Sequence, residues 1–90
     1  MQSEVQTVET ELFAGKPVVT GLKQARRAVL DGRAAAVYIA SDAEDRVQAP
    51  LRELCAERCV PVCSDFTMEQ LGEAAGIAVG AAACAVLTSA

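Results

Sequence analysis

The chain has no histidine and no tryptophan. The side chain that most often serves as a base near neutral pH, and as a common metal ligand, is therefore excluded. Aromatic residues are confined to Phe13, Tyr38 and Phe66, so the core is expected to rest on Val, Leu, Ile, Ala and Cys. No apolar run approaches the roughly 18–20 residues that a membrane-crossing helix needs. Met1 to Glu11 is polar and acidic, unlike the basic and apolar start of a signal peptide. The expectation is a cytoplasmic protein, in which disulfides rarely persist. Cys55, Cys59, Cys63 and Cys84 then read as thiols, and they lack the C-x₂-C pairing of common zinc sites. Neither a metal nor any other cofactor is expected. Phosphate-loop, dinucleotide-binding and nucleophile-elbow motifs are missing too. Asp42, Glu44 and Asp45 share one polar loop, better explained by solvation and helix capping than by acid–base chemistry. No catalytic residue is assigned, and an enzyme is not expected.

What remains is a chain of 90 residues, 52% of them apolar. That fraction is too high for disorder, and the length allows one domain spanning residues 1–90 with a modest core. The net charge of −4 is unevenly spread. Residues 16–33 hold Lys16, Lys23, Arg26, Arg27 and Arg33 against Asp31, a local charge of +4, while the remainder carries −8. A basic segment in an acidic body is a footprint for a polyanion, although a solvated helix face explains the same charges.

Apolar spacing predicts a helix over Glu4 to Phe13, stopped by Gly15 and Pro17. Val18 and Val19 follow as a short strand. A second helix runs from Leu22 to Asp31, with Leu22, Ala25, Ala28 and Val29 facing inward and Gly32 as a left-handed stop. Ala35 to Ala40 reads as a strand covered on both faces. A third helix starts near Pro50 or a few residues before it, and Val60 to Cys63 forms a short strand. Thr67 and Gln70 form a capping box, with Phe66 and Leu71 as its hydrophobic staple. That fourth helix runs from Met68 to Ala75 and stops at Gly76. Ala82 to Thr88 closes the sheet. The alternation predicts an α/β fold: a three-layer α/β/α sandwich around a four-stranded mixed central sheet with helices on both faces.

Two segments stand out. In Thr20-Gly21-Leu22-Lys23-Gln24-Ala25-Arg26-Arg27, a glycine at a helix start precedes a cation, an amide and two guanidiniums. Helix amino ends attract anions. Gly21 permits close approach of a backbone, Gln24 can both donate and accept, and Lys23 and Arg27 share a face. An ordinary capped helix with exposed charges has the same appearance. In Gly76-Ile77-Ala78-Val79-Gly80-Ala81-Ala82-Ala83, aliphatic residues occupy a loop. They either turn into the core or face a flipped-out base.

Together these pieces resemble the L-seven-Ae family of kink-turn-binding ribosomal proteins, and within it the small bacterial branch. Further matching pieces are Ala34-Ala35-Ala36-Val37-Tyr38-Ile39-Ala40-Ser41-Asp42, Cys59-Val60-Pro61-Val62 and Leu71-Gly72-Glu73-Ala74-Ala75-Gly76-Ile77. The likeness runs from about Lys16 to Thr88. It implies the same three-layer fold and an RNA partner, the kink-turn, whose tandem sheared G·A pairs bend a duplex sharply. It also implies association with the ribosome and its RNA. Carried over by position, Gly21, Lys23, Gln24 and Arg27 would enter the groove at the G·A pairs. Ile77, Ala78 and Val79, with Gly80 beside them, would pack on an unstacked nucleotide. Lys23, Arg26 and Arg27, together with Lys16 and Arg33, would hold phosphates. No membrane partner is expected, and the chain is expected to be a monomer. The rival function is a protein-interaction module that uses the acidic surface and the apolar loop.

Overall fold

The computed structural model describes residues 6–7, 13 and 15–88. The elements run β1 (Gln6–Thr7), β2 (Pro17–Thr20), α1 (Leu22–Leu30), β3 (Ala34–Ile39), α2 (Asp45–Glu57), β4 (Val62–Cys63), α3 (Met68–Ala74) and β5 (Ala83–Leu87). Four strands form the expected mixed sheet in the order β2-β5-β3-β4, and β1 extends it next to β2. β5 runs antiparallel to both β2 and β3, while β4 runs parallel to β3.

The period-two alternation of strands sorts the core into two layers. Val19, Val37, Ile39, Ala83 and Ala85 face Ala25, Ala28 and Val29 of α1 and Leu51 and Cys55 of α2. Val18, Cys84 and Val86 face the other way, onto Leu71 and Ala74 of α3. Alanines on β5 and α1 let helix and sheet approach closely. The expected three-layer sandwich follows.

Each helix closes by the same device. The residue after the cap is in the left-handed region: Gly32 (φ 73°), Cys59 (φ 58°) and Gly76 (φ 77°). The next N–H then reaches back to the helix, Arg33 to Ala28, Val60 to Cys55 and Ile77 to Gly72. This is the Schellman arrangement. Cys59 fills a place where glycine is usual, so the sequence gives no signal for it.

Some expectations are corrected. Gln6–Thr7 is a strand paired antiparallel with β2, at Gln6↔Val18 and Thr7↔Pro17, and not part of a helix. Among the described residues, β2 otherwise presents an open edge on this side. The rest of that expected helix, apart from Phe13, lies outside the described residues. The third helix agrees with expectation: it begins at Asp45, a few residues ahead of Pro50, which sits inside it. Asp45 favours the amino end, and the buried Gln48 side chain anchors it by donating to the Ala43 carbonyl at 2.7 Å. β4 is shorter than expected. The Val60 N–H is spent on the end of α2, and Pro61 has no N–H, so its carbonyl alone serves the sheet, at 2.9 Å from the Val37 nitrogen.

The capping box is present as expected. Thr67 Oγ1 accepts from the Gln70 N–H, and Gln70 Oε1 accepts from the Thr67 N–H. Phe66 and Leu71 of the staple pack in one cluster. The aromatic residues are not spare: Phe13 meets Tyr38 edge-on at 5.3 Å, and Tyr38 meets Phe66 at 6.2 Å, all on the α3 side of the sheet. Among the described residues, no helix is long and apolar enough to cross a membrane.

Candidate nucleic-acid interface

The strand directions bring the two singled-out segments to one end of the sheet. β2 and β3 finish beside the start of β5, at Thr20↔Cys84 and Ile39↔Ala83. The Gly21 N–H donates to the Ala83 carbonyl at 2.8 Å, and the Ala40 N–H donates to the Ala82 carbonyl at 2.8 Å. The amino end of α1 therefore lies beside the segment leading into β5. Segments distant in sequence become neighbours through main-chain bonds, whatever their side chains do.

The amino end of α1 is electrically unusual. It has no side-chain cap and no acid in its first turn. By contrast, α2 carries Asp45 there, and α3 carries Glu69 and the capping box. The first helical turn leaves N–H groups without intrahelical acceptors and a partial positive charge. Lys23 adds a full positive charge at the place where a cation is disfavoured. An anion from outside would relieve both. Gly21 has φ 102°, a conformation that side chains rarely adopt, and a Cβ built on it would meet nothing within 4 Å. The backbone is thus bare and open to a ligand.

Successive residues of a helix turn by about 100°, so the side chains of α1 divide by direction. Ala25, Ala28 and Val29 point to the core. Lys23 and Arg27 are exposed on the opposite face. Gln24 is half-buried on one flank. Arg26 lies on the other flank, where it lines a groove with Pro50, Glu53, Leu54 and Glu57 of α2.

The structure does not bring Lys16 and Arg33 into this group. Lys16 precedes β2, whose first residues lie beside the last of β5. Arg33 accepts from the Thr88 N–H through its carbonyl, beyond the carboxyl end of β5, and its guanidinium pairs with Asp31 at 3.4 Å. Both cations sit at the opposite end of the sheet. Strand rise separates Lys16 from Gly21 by about 16 Å along β2.

The apolar segment folds over α3. Ile77 packs against the core, whereas Val79 is 69% exposed. Together with Met68, 36% exposed, Val79 borders a cleft of about 390 Å³ lined also by Asp42, Glu69, Glu73, Ile77, Ala78 and Gly80. Two of the large apolar side chains that are most exposed thus share one concavity, and its rim is acidic. Sequence reasoning found the aliphatic residues but missed the carboxylates. Glu69 and Glu73 are four apart on α3, a spacing that could have placed them on one face. Asp42 is not merely solvated, because its Oδ1 accepts from the Met68 N–H at 2.9 Å. It holds the loop after β3 to the start of α3.

Cys63 and Cys84 flank Tyr38 across β4 and β5 near this end of the sheet, but among the described residues no three His, Cys, Asp or Glu side chains are placed to hold a metal ion. Cys55 is buried in the layer under α1 and α2, and Cys84 is buried on the other side of the sheet. Burial pushes the Cys84 thiol up to about 12. It raises Cys55 too, with the Arg52 cation opposing the effect.

A model of the ribosomal protein L7Ae/L30e/S12e/Gadd45 family matches residues 4–90. The chain is 45% identical over 67 residues to the RNA-binding protein TTE2299 of Caldanaerobacter subterraneus subsp. tengcongensis, covering 74% of this chain and 82% of that one. It is 42% identical over 79 residues to the RNA-binding protein YbxF of Geobacillus stearothermophilus, covering 88% and 95%. Among solved structures, the Giardia lamblia 15.5kD RNA binding protein superposes with a TM-score of 0.73 at 26% identity, covering 80% of this chain and 61% of that one.

Proposed function

This chain belongs to the ribosomal protein L7Ae/L30e/S12e/Gadd45 family, and on that premise we propose that it binds RNA and recognises the kink-turn. The carrying observation is the junction at Gly21 and Ala83, which sets an uncapped, cationic helix start beside an apolar loop. Regular A-form RNA hides its base edges in a deep groove, so side chains read bent and unstacked sites instead. A kink-turn offers both a widened groove and a nucleotide out of the stack.

In this arrangement Lys23 and Arg27 meet phosphates, and Gly21 lets the RNA backbone come close. Gln24, on the flank of the helix, pairs with a base edge at the G·A step. Arg26 contributes less, because Glu53 and Glu57 border its groove. Ile77, Ala78, Val79 and Gly80 receive the unstacked nucleotide. The three described aromatic rings are engaged with one another, so contact with that base is aliphatic. The carboxylates of Asp42, Glu69 and Glu73 repel phosphate from the cleft and admit a base. The charge pattern thereby sets the direction in which the RNA lies. Lys16 and Arg33 fall outside the footprint. The RNA of the ribosome is the natural source of such a motif.

A mobility shift on a kink-turn duplex, beside a straight duplex of equal length, tests this function. A shift confined to the kink-turn is expected. Equal shifts, or none alongside protein partners that survive nuclease treatment, would identify the chain as a general RNA binder or a protein-interaction module instead.

A further inference from the structure

We propose that Gly72 is a positioning residue for RNA recognition, because its missing side chain seats the apolar loop on α3 in the geometry that accepts the unstacked nucleotide. The inference rests on the proposed function and names a residue that touches no RNA itself. A Cβ built on Gly72 would lie 2.1 Å from the Val79 carbonyl oxygen and 3.0 Å from the Gly80 Cα. No real Cβ tolerates such contacts with backbone, so any other residue drives helix and loop apart. Glycine is also among the poorest helix formers, yet here it is the fifth residue of a seven-residue helix. Close approach explains its presence.

Two hydrogen bonds and a second close approach hold the same loop. The Ile77 N–H donates to the Gly72 carbonyl at 3.0 Å, and the Ala81 N–H donates to the Met68 carbonyl at 3.0 Å. A Cβ on Gly80 would meet Met68 backbone atoms and Cβ at 3.3 Å, a tighter than ordinary contact. Between these anchors Val79 projects outward. Its side chain can stand on the rim of the cleft only because its carbonyl is pressed into the gap that Gly72 leaves. Loosening that seat moves the apolar rim while Lys23, Gln24 and Arg27 stay on α1.

The test uses the full chain and two kink-turn RNAs, identical except that one is abasic at the unstacked nucleotide. The wild-type protein is expected to favour the complete RNA by about tenfold, the scale of one base contact. Gly72→Ala should bind both RNAs equally, with an unchanged salt dependence and faster amide exchange at Ile77 and Ala81. Gly80→Ala, whose added Cβ presses on Met68, should lose part of the preference together with faster amide exchange at Ala81, and it carries the test if Gly72→Ala does not fold: a full preference, or a loss without faster exchange, overturns the proposal. A retained tenfold preference in the folded Gly72→Ala protein overturns the proposal. So does a wild-type protein that shifts the kink-turn but ignores the missing base, an outcome that leaves kink-turn binding intact. A wild-type protein that shifts no kink-turn overturns the function and this inference together.

Discussion

Replacing Lys23 and Arg27 together by alanine removes the two cations that share the outward face of α1. Four residues of helix separate them by about 6 Å along the axis, so each is placed to meet its own phosphate. Both are exposed, and neither side chain supports the core. Each neutralised phosphate contributes about 0.7 to 0.9 to the slope of log affinity against log salt. The double variant should therefore flatten that slope by about 1.4 to 1.8. Over a fourfold rise in salt, from about 50 to 200 mM, its affinity should fall roughly tenfold less than that of the wild type. Fluorescence anisotropy on a labelled kink-turn across a salt series measures the slope directly. The matching control is Lys16→Ala with Arg33→Ala, which removes the same charge at the opposite end of the sheet and should leave the slope unchanged. If both double variants flatten it alike, the charge acts through the whole molecule, and the assignment of phosphate contacts to α1 is wrong.

Gln24→Ala should lower discrimination between sheared G·A pairs and Watson–Crick pairs by about 1–3 kcal/mol, with an unchanged salt slope; competition binding with the two RNAs reads it. Cys59→Gly should raise stability by about 1 kcal/mol in urea denaturation, because it removes a side chain from a left-handed position with φ 58°. Raising the pH from 9 toward 12 should destabilise the fold. The buried Cys84 thiol keeps its proton to about 12 while the unfolded thiol loses it near 9. The native state then holds more protons, and stability falls with a slope of up to ~1.4 kcal/mol per pH unit that Cys84→Ala should reduce.

The layers and the helices α1 to α3 were legible because local chemistry dictates them, whereas apolar spacing over Glu4 to Phe13 suggested a helix where Gln6–Thr7 is a strand. Thr67 and Gln70 cap α3 through their own side chains, Gly32 and Gly76 supply left-handed stops, and alternation in β3 and β5 feeds both faces of the sheet. Pro50 placed the start of α2 only to within a few residues, because its lost hydrogen bond is outweighed by the inward stripe and by Gln48. The end of α2 was obscured by Cys59, which imitates a glycine. Within the proposed site, residue types singled out the segment from Thr20 to Arg27, and the family resemblance narrowed it to Gly21, Lys23, Gln24 and Arg27. That the apolar loop lies beside them depends on strand order, which no local pattern encodes. For the same reason Lys16 and Arg33 were grouped with the other cations by sequence, although a strand and a helix carry them to the far end. The acidic rim and the seat at Gly72 are properties of packing between segments.

Titration of the isotopically labelled protein with a kink-turn RNA, followed residue by residue through backbone amide shifts, tests the joint surface most directly. The account predicts one saturable set of changes that includes Gly21 to Arg27 and Ile77 to Gly80 together, and leaves the amides of Lys16, Arg33 and Thr88 in place. Changes confined to α1, or centred on the far end of the sheet, would contradict it.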